Sequence, residues 1–430
     1  MKTNLRMLLI ALQGFLIGAI LMELKLFPYN LIQNAKPAVL EIKRILTGEL
    51  PWYYRHSTRS EQVDVIDRQA IQPGLSLITG IGPNNHSQAS VIDVDGNVIH
   101  NWQINWFELW PDATHIPESK APTREPEVFT HGVVLMDNGD LVFSLSESGL
   151  FRMDLCGNLV WKFPRMTHHA LVKDEQGYLW TLGQDYQFEP LADLPGYIPD
   201  FEDFKIFKMT SEGKLVSEWR LFDILKDNHL ESLLYMSNNR PFYVDVTGDT
   251  LHINDIDIFP STMEPGAFET GDIMISLRNI HTVLVLDQDM QVKHQFTGSF
   301  IRQHDPDFID GNRILVFDNY THTAYSPMPY SRILELEAGV NEPIIRYQGT
   351  QDEPFFTAIM GKHQILDNGN ILVTEAVEGR AFELHEGRIV WQYFNLLPND
   401  LTGFIDEAQR LPAKFDRAFF EENRQKCIRL

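Results

Sequence analysis

Cysteine is nearly absent. The 430 residues contain two, Cys156 and Cys427, and no C-x-x-C pair. That excludes a structural zinc ribbon and a disulfide framework. Two free thiols are the expected state, with a single disulfide as the alternative. Basic residues are scarce as well. Lys and Arg number 36 against 59 Asp and Glu, a formal net charge of −23. Such a chain lacks the basic footprint that a polyanion needs, so nucleic acid is excluded as a partner. The acidity reads as a solubility feature. No phosphate-cradling Gly-rich loop occurs. The apolar fraction, 43%, is ample for a large core, and the length suits one large β architecture. Nothing in the composition opposes self-association into a homo-oligomer.

One long apolar run is present, from Met7 to Met22, and Lys2 and Arg6 precede it. No small-x-small cleavage site follows; Glu23, Lys25 and Pro28 do. The pattern predicts an uncleaved signal anchor, a membrane helix within residues 1–29. The basic end would be cytoplasmic and the body extracytoplasmic, periplasmic in a bacterium. A secretory signal cut at an unusual place is the alternative, and it exports the body equally. Residues 30–71 read as a linker with helical spacing in AVLEIKRIL. The main domain is expected over 72–415, with residues 416–430 as a tail.

That domain repeats one unit: an apolar strand, a turn with Gly beside Asn or Asp, two more strands, a second such turn, and a final strand often ending in Trp. The clearest copy is HGVVLMDNGDLVFSLSESGLFRMDLCGNLVWKF, from His131 to Phe163. The turns are hairpin chemistry, because Gly and Asn accept positive φ. Four-stranded units cannot bury both faces alone and must stack radially. Six units predict an all-β fold, a six-bladed β-propeller. The first unit, GLSLITGIGPNNHSQASVIDVDGNVIHNW, lacks its opening strand. The tail around Phe404 to Leu411 is expected to return and supply it, removing the open edges.

Five units open on histidine: His131, His168 or His169, His252, His304 and His363. First strands of a propeller line its central channel, so these imidazoles would crowd one mouth. A structural His bonding within its own blade is the bland alternative for any one of them. Other polar residues, however, end the second strands: Ser146, Gln184, Arg278, Asn319 and Glu375. Arg278 would be a cation beside the channel, and Arg410 a weaker second one. Arg binds sulfate or phosphate through paired N–H donors. Neutral imidazole attacks electrophiles or moves protons near pH 7. Three His could instead bind a metal, but no short-range metal spacing occurs.

HIND followed by ISLRN, then RQHDPDFIDGNRILVFDN, makes residues 72–415 resemble the arylsulfate sulfotransferases. Those are six-bladed propellers that move a sulfuryl group between phenols. The resemblance implies that His304 in RQHD is a nucleophile that becomes transiently sulfated. It implies that Arg278 and His252 bind the sulfuryl oxygens, with His252 also able to protonate the leaving phenolate. His168 in THHA would match an upstream channel histidine, with His169 one step away and the choice open. His131, His363 and Asn319 are further candidates for substrate contact. No nucleotide donor, cofactor or metal is implied. The partners are an aryl sulfate, a phenol and, through the anchor, a membrane. Rival readings are a non-catalytic binding propeller, a quinoprotein dehydrogenase suggested by DVDGNVIHNW, and a metal-dependent lactonase or oxidase. Two aromatic- and proline-rich insertions, WFELWPDATHIPESKAPTREPEV and QDYQFEPLADLPGYIPDFEDF, are either rims for an aromatic acceptor or plain loops.

Overall fold

A computed structural model describes residues 13–15, 18, 48–237, 245–321 and 330–427. The chain divides into two compact units, Met1–Tyr53 and Tyr54–Leu430. In the first, residues 13–15 and 18 are helical. The rest of the expected anchor and the AVLEIKRIL helix lie outside the described residues. Among those described, no helix is long and apolar enough to cross a membrane.

The second unit is mostly β, and its described residues build six antiparallel sheets of four principal strands. Sheet I consists of Ile405–Arg410, Ser76–Ile81, Ser87–Ile92 and Val98–Ile104. Sheet II runs from Thr130–Leu135 to Leu159–Phe163, and sheet III from Met166–Lys173 to Leu215–Arg220. Sheet IV runs from Ile253–Ile258 to Val292–Thr297, and sheet V from His304–Phe308 to Ile344–Gln348. Sheet VI runs from Lys362–Ile365 to Arg388–Phe394. The first strand of each sheet touches that of the next, and sheet VI touches sheet I, so these strands make a closed circuit. In sheet I the first strand comes from the tail: Ile405–Arg410 pairs antiparallel with Ser76–Ile81.

The residues forming the turns show why the chain folds this way. In VDVDGNV, Asp93 accepts the N–H of Asn97 at 2.9 Å while Gly96 takes φ 82°. DLCGN repeats it with Asp154, Asn158 and Gly157 at φ 85°. Between turns, alternate apolar residues fill six cores, one between each pair of successive sheets. Leu77 and Val91 of sheet I meet Phe143 and Phe151 of sheet II. Phe317 and Ile333 of sheet V meet Val373 and Phe382 of sheet VI. Three tryptophans of the outer strands latch a sheet to the next. Trp102 of sheet I donates Nε1–H to Asp154 O in the sheet II turn at 2.9 Å. Trp161 reaches Ser211 O after sheet II, and Trp391 of sheet VI reaches Val94 O of sheet I, at 3.1 and 2.9 Å. Each such bond contributes about 1 kcal/mol beyond the ring's burial.

Two expectations are corrected. The second unit starts at Tyr54, inside the expected linker 30–71: Val63–Val65 adds a fifth strand to sheet VI and Tyr54–His56 pairs with Leu401–Gly403. The cysteines are not free thiols. Cys156 and Cys427 form a disulfide across 271 residues, Cα–Cα 5.4 Å. Cys156 lies in the DLCGN turn and Cys427 ends the helix Arg417–Cys427, whose Phe420 is buried in the core of sheets I and II. The bridge therefore clamps the segment that follows the closing strand. Replacing both cysteines by serine is expected to cost about 2–4 kcal/mol, read by chemical unfolding. The amides of 417–427 should lose hydrogen-exchange protection first.

Candidate functional site

Five of the six first strands break register at corresponding places: between Thr130 and Val133, His168 and Leu171, Ile253 and Asp255, His304 and Asp307, and Ile405 and Glu407. A bulge re-aims the side chains beside it. The backbone turns left-handed at or next to it, at His169 (φ 57°), His252 (φ 52°) and Asp305 (φ 50°). Such conformations cost non-glycine residues about 1–2 kcal/mol each and recur where function fixes geometry. The outcome is one cavity of about 180 Å³ whose wall holds His131, His168, His169, His252, Arg278 and His304 together. Ser146, Glu147, Gln184, Glu202, Asp249, Ile359 and Met360 complete it. A larger cleft of about 340 Å³, lined by residues of sheets III and IV by Trp180 and Trp219, holds none of these imidazoles.

His304 is held in one tautomer. Asn319 donates its amide hydrogens to Thr357 O and Met360 O at 2.9 and 2.7 Å. Its Oδ1 is left to face His304 Nδ1 at 2.6 Å, so Nδ1 carries the proton. Nε2 then bears the lone pair, buried and without a hydrogen-bond partner among the described residues. Burial, then the Arg278 charge, pushes the His304 imidazole well below its usual range, so it is neutral at pH 7.

His252 is engaged at both nitrogens. Nδ1 lies 2.5 Å from Asp249 Oδ2, and Nε2 lies 2.9 Å from His169 Nε2. With Nδ1–H given to the carboxylate, His252 Nε2 accepts and His169 donates. His131 stacks on His169, ring centroids 4.3 Å apart. Burial holds His131 down to about 3 and His168 and His169 well below the ordinary value. Both His168 and His169 reach the cavity, because the bulge breaks strand alternation between them. Arg278 opens a short turn after the second strand of sheet IV, its N–H bonded to His252 O at 3.0 Å. Its guanidinium is loosely held, with Nε 3.3 Å from Asn279 Oδ1 and Nη2 3.9 Å from Asp249 Oδ2. Burial, then Arg302, lowers it to about 10, which leaves it charged at neutral pH.

Four expected site residues stand elsewhere. Asn319 lies behind His304, in contact with the imidazole and outside the cavity wall. Glu375 accepts Phe356 N–H and pairs with Arg380. Arg410 pairs with Glu383 at 3.0 Å and with Gln72 O. His363 is fully buried away from the cavity, with Nδ1 3.1 Å from Asp305 and Nε2 3.2 Å from Asp307. Those three residues, with ligand atoms within 4.8 Å of one another, could hold a cation. Lys362 already lies 3.1 Å from Asp305. Glu202, Asp249 and Glu147 join the wall with no motif to mark them. Asp249, three residues before His252, carried a weak signal; Glu202 lies inside an insertion.

The family model "Arylsulfotransferase (ASST)" matches residues 132–395. No curated protein matches significantly. Among solved structures, a protein of unknown function from Bacteroides caccae is 13% identical, with TM-score 0.49, covering 78% of this chain and 98% of its own. Virginiamycin B lyase from Staphylococcus aureus is 12% identical, with TM-score 0.36, covering 67% and 86%. The WD40 propeller domain of Doa1 is 10% identical, with TM-score 0.41, covering 84% and 98%. The matched span takes in His168, His252, Arg278 and His304, and by it the chain belongs to the arylsulfotransferase family.

Proposed function

We propose that this chain is a six-bladed β-propeller enzyme that moves a sulfuryl group from an aryl sulfate ester to a phenol through a sulfohistidine at His304. No nucleotide sulfate donor takes part. The carrying observation is the tautomer lock, with Nδ1 of His304 tied to Asn319 and a bare Nε2 beside Arg278 in one cavity. The closed circuit of six first strands supports the blade count.

In the first half-reaction His304 Nε2 attacks sulfur as the bond to the aryl oxygen breaks. Nδ1 keeps its proton on Asn319, so the ring shares the charge it gains. Sulfuryl transfer parallels phosphoryl transfer, with a loose transition state and charge on peripheral oxygens. Arg278 supplies N–H donors for those oxygens, and His168, whose Nε2 is unpartnered among the described residues, can add another; His252 and His169 spend their N–H groups on Asp249 and on the contact between them. In the second half-reaction a phenol oxygen attacks the same sulfur and the lone pair returns to Nε2. The kinetics are ping-pong. Incubation with an aryl sulfate followed by mass spectrometry of the His304 peptide tests this. A donor panel that yields neither phenol nor a sulfated peptide would instead indicate a binding propeller.

We also propose that the apolar run Met7–Met22 anchors the chain and that the cavity is extracytoplasmic. The basic flank at Lys2 and Arg6 and a Cys156–Cys427 disulfide, at home in an oxidising compartment, support this. The full chain should sediment with membranes and a form lacking residues 1–29 should not. A soluble full chain would refute the anchor.

A further inference from the structure

A departing phenolate needs a proton, and the imidazoles of this cavity are badly placed to give one. His304 is committed to sulfur. His252 has donated Nδ1–H to Asp249 and meets His169 with its other nitrogen. His131 and His168 are held neutral by burial, and protonating either beside Arg278 sets like charges together. Three carboxyls also stand in the wall, Glu147, Asp249 and Glu202, and among the described residues only Glu202 is without a partner. Glu202 lies on Tyr197–Met209, the long third strand of sheet III, at the register position opposite Tyr186. It comes from the insertion QDYQFEPLADLPGYIPDFEDF, which carries the hairpin past the length of its neighbours and over the cavity rim.

The surroundings of Glu202 favour the uncharged acid. Among the described residues its carboxyl makes no hydrogen bond or ion pair, whereas Glu147 accepts the Tyr186 hydroxyl and Asp249 takes His252. Asp249, Glu147 and, less, Asp200 repel a charge there, Lys120 attracts one, and Arg278 is the facing cation. Burial, then Asp249, raises the carboxyl to about 8, so its proton is retained at neutral pH. An ionised carboxylate at this place would repel a sulfate ester, and a neutral acid can hydrogen-bond to its bridging oxygen.

Resting on the sulfuryl-transfer reading, we propose that Glu202 is the general acid–base of the reaction, giving its proton to the departing phenol oxygen and taking one from the acceptor phenol. As the S–O bond breaks and the S–Nε2 bond forms, the carboxyl proton moves to the aryl oxygen. Neutral phenol leaves and Glu202 becomes a carboxylate. The acceptor hydroxyl then gives its proton to that carboxylate while its oxygen takes the sulfuryl group, and the starting state returns with nothing gained or lost. Each half-reaction regenerates the form of Glu202 that the other needs.

Leaving-group dependence separates this role from a structural one. A good leaving group such as para-nitrophenolate needs little protonation; unsubstituted phenolate needs much. Glu202→Gln should lower kcat/KM for phenyl sulfate by about 10²–10³-fold and for para-nitrophenyl sulfate by less than about tenfold. The native enzyme should lose activity on phenyl sulfate above about pH 8, the value to which Glu202 is raised, while keeping it on the nitrophenyl ester. An equal loss on both donors in a folded Glu202→Gln variant overturns the assignment and leaves sulfuryl transfer standing. If that variant does not fold, the native pH profiles decide, and identical alkaline limbs on the two donors overturn it. A native enzyme that releases no phenol from any donor takes down both readings.

Discussion

His304→Asn removes turnover of aryl sulfates by about 10⁴-fold or more. Asparagine can still hydrogen-bond to Asn319, so the fold has little reason to change; what disappears is the lone pair at Nε2. The neighbouring His169, its ring centroid 6.3 Å from that of His304, has its Nε2 turned to His252 and does not substitute. The burst of phenol and the sulfated peptide should vanish together. A smaller loss, about 10²-fold in kcat with little change in KM, is expected of Asn319→Leu, which frees the other tautomer while leaving the ring in place. Burial and Arg278 depress the His304 pKa, so its Nε2 remains unprotonated well below the usual imidazole range. The acid limb of kcat/KM therefore lies below about pH 6.5. Full activity in His304→Asn would end the sulfohistidine reading, and an acid limb near 6.5 would contradict the burial of the ring.

The parts of this site that were legible in the sequence are those where a repeat marks a place in space. Each unit begins at the middle of the ring, so histidines at unit starts far apart in the chain meet in one cavity, and Arg278 joins them from the end of a second strand. His363 occupies the same slot in the repeat and fails to arrive. Its strand pairs with Ile371–Glu375 without the register break seen in five other first strands, so nothing re-aims its side chain to the cavity. The bulge decides direction, and a bulge leaves no spacing that a repeat pattern can show. Asn319 was placed correctly in the repeat and misjudged in role, because an amide facing two carbonyls orients its neighbour rather than a ligand. Cys156 and Cys427 lie 271 residues apart in unlike segments. Only the return of the tail past sheet I brings them together. Glu202 lies inside an insertion that belongs to no repeat and holds several other acids, so its sequence position marks no place in space.

Arg278→Ala should lower kcat/KM for an aryl sulfate by about 10²–10³-fold, the range expected when one donor to developing anionic charge is lost. The guanidinium suits this work because so little protein holds it. With one long contact to Asn279 and a 3.9 Å approach to Asp249, its outer nitrogens stay available to a ligand. Arg278→Lys should recover only part of the loss, since one ammonium cannot reproduce two parallel N–H donors on a sulfuryl group. Inhibition by inorganic sulfate should weaken in the same order, which separates anion binding from a general disturbance of the fold. The pH profile should move as well. The Arg278 charge depresses the His304 pKa; without it that pKa rises, and the acid limb of kcat/KM shifts to higher pH. Unchanged sulfate inhibition together with an unshifted acid limb would mean that Arg278 neither holds the anion nor acts on His304, and the cavity would then need another cation to bind its donor.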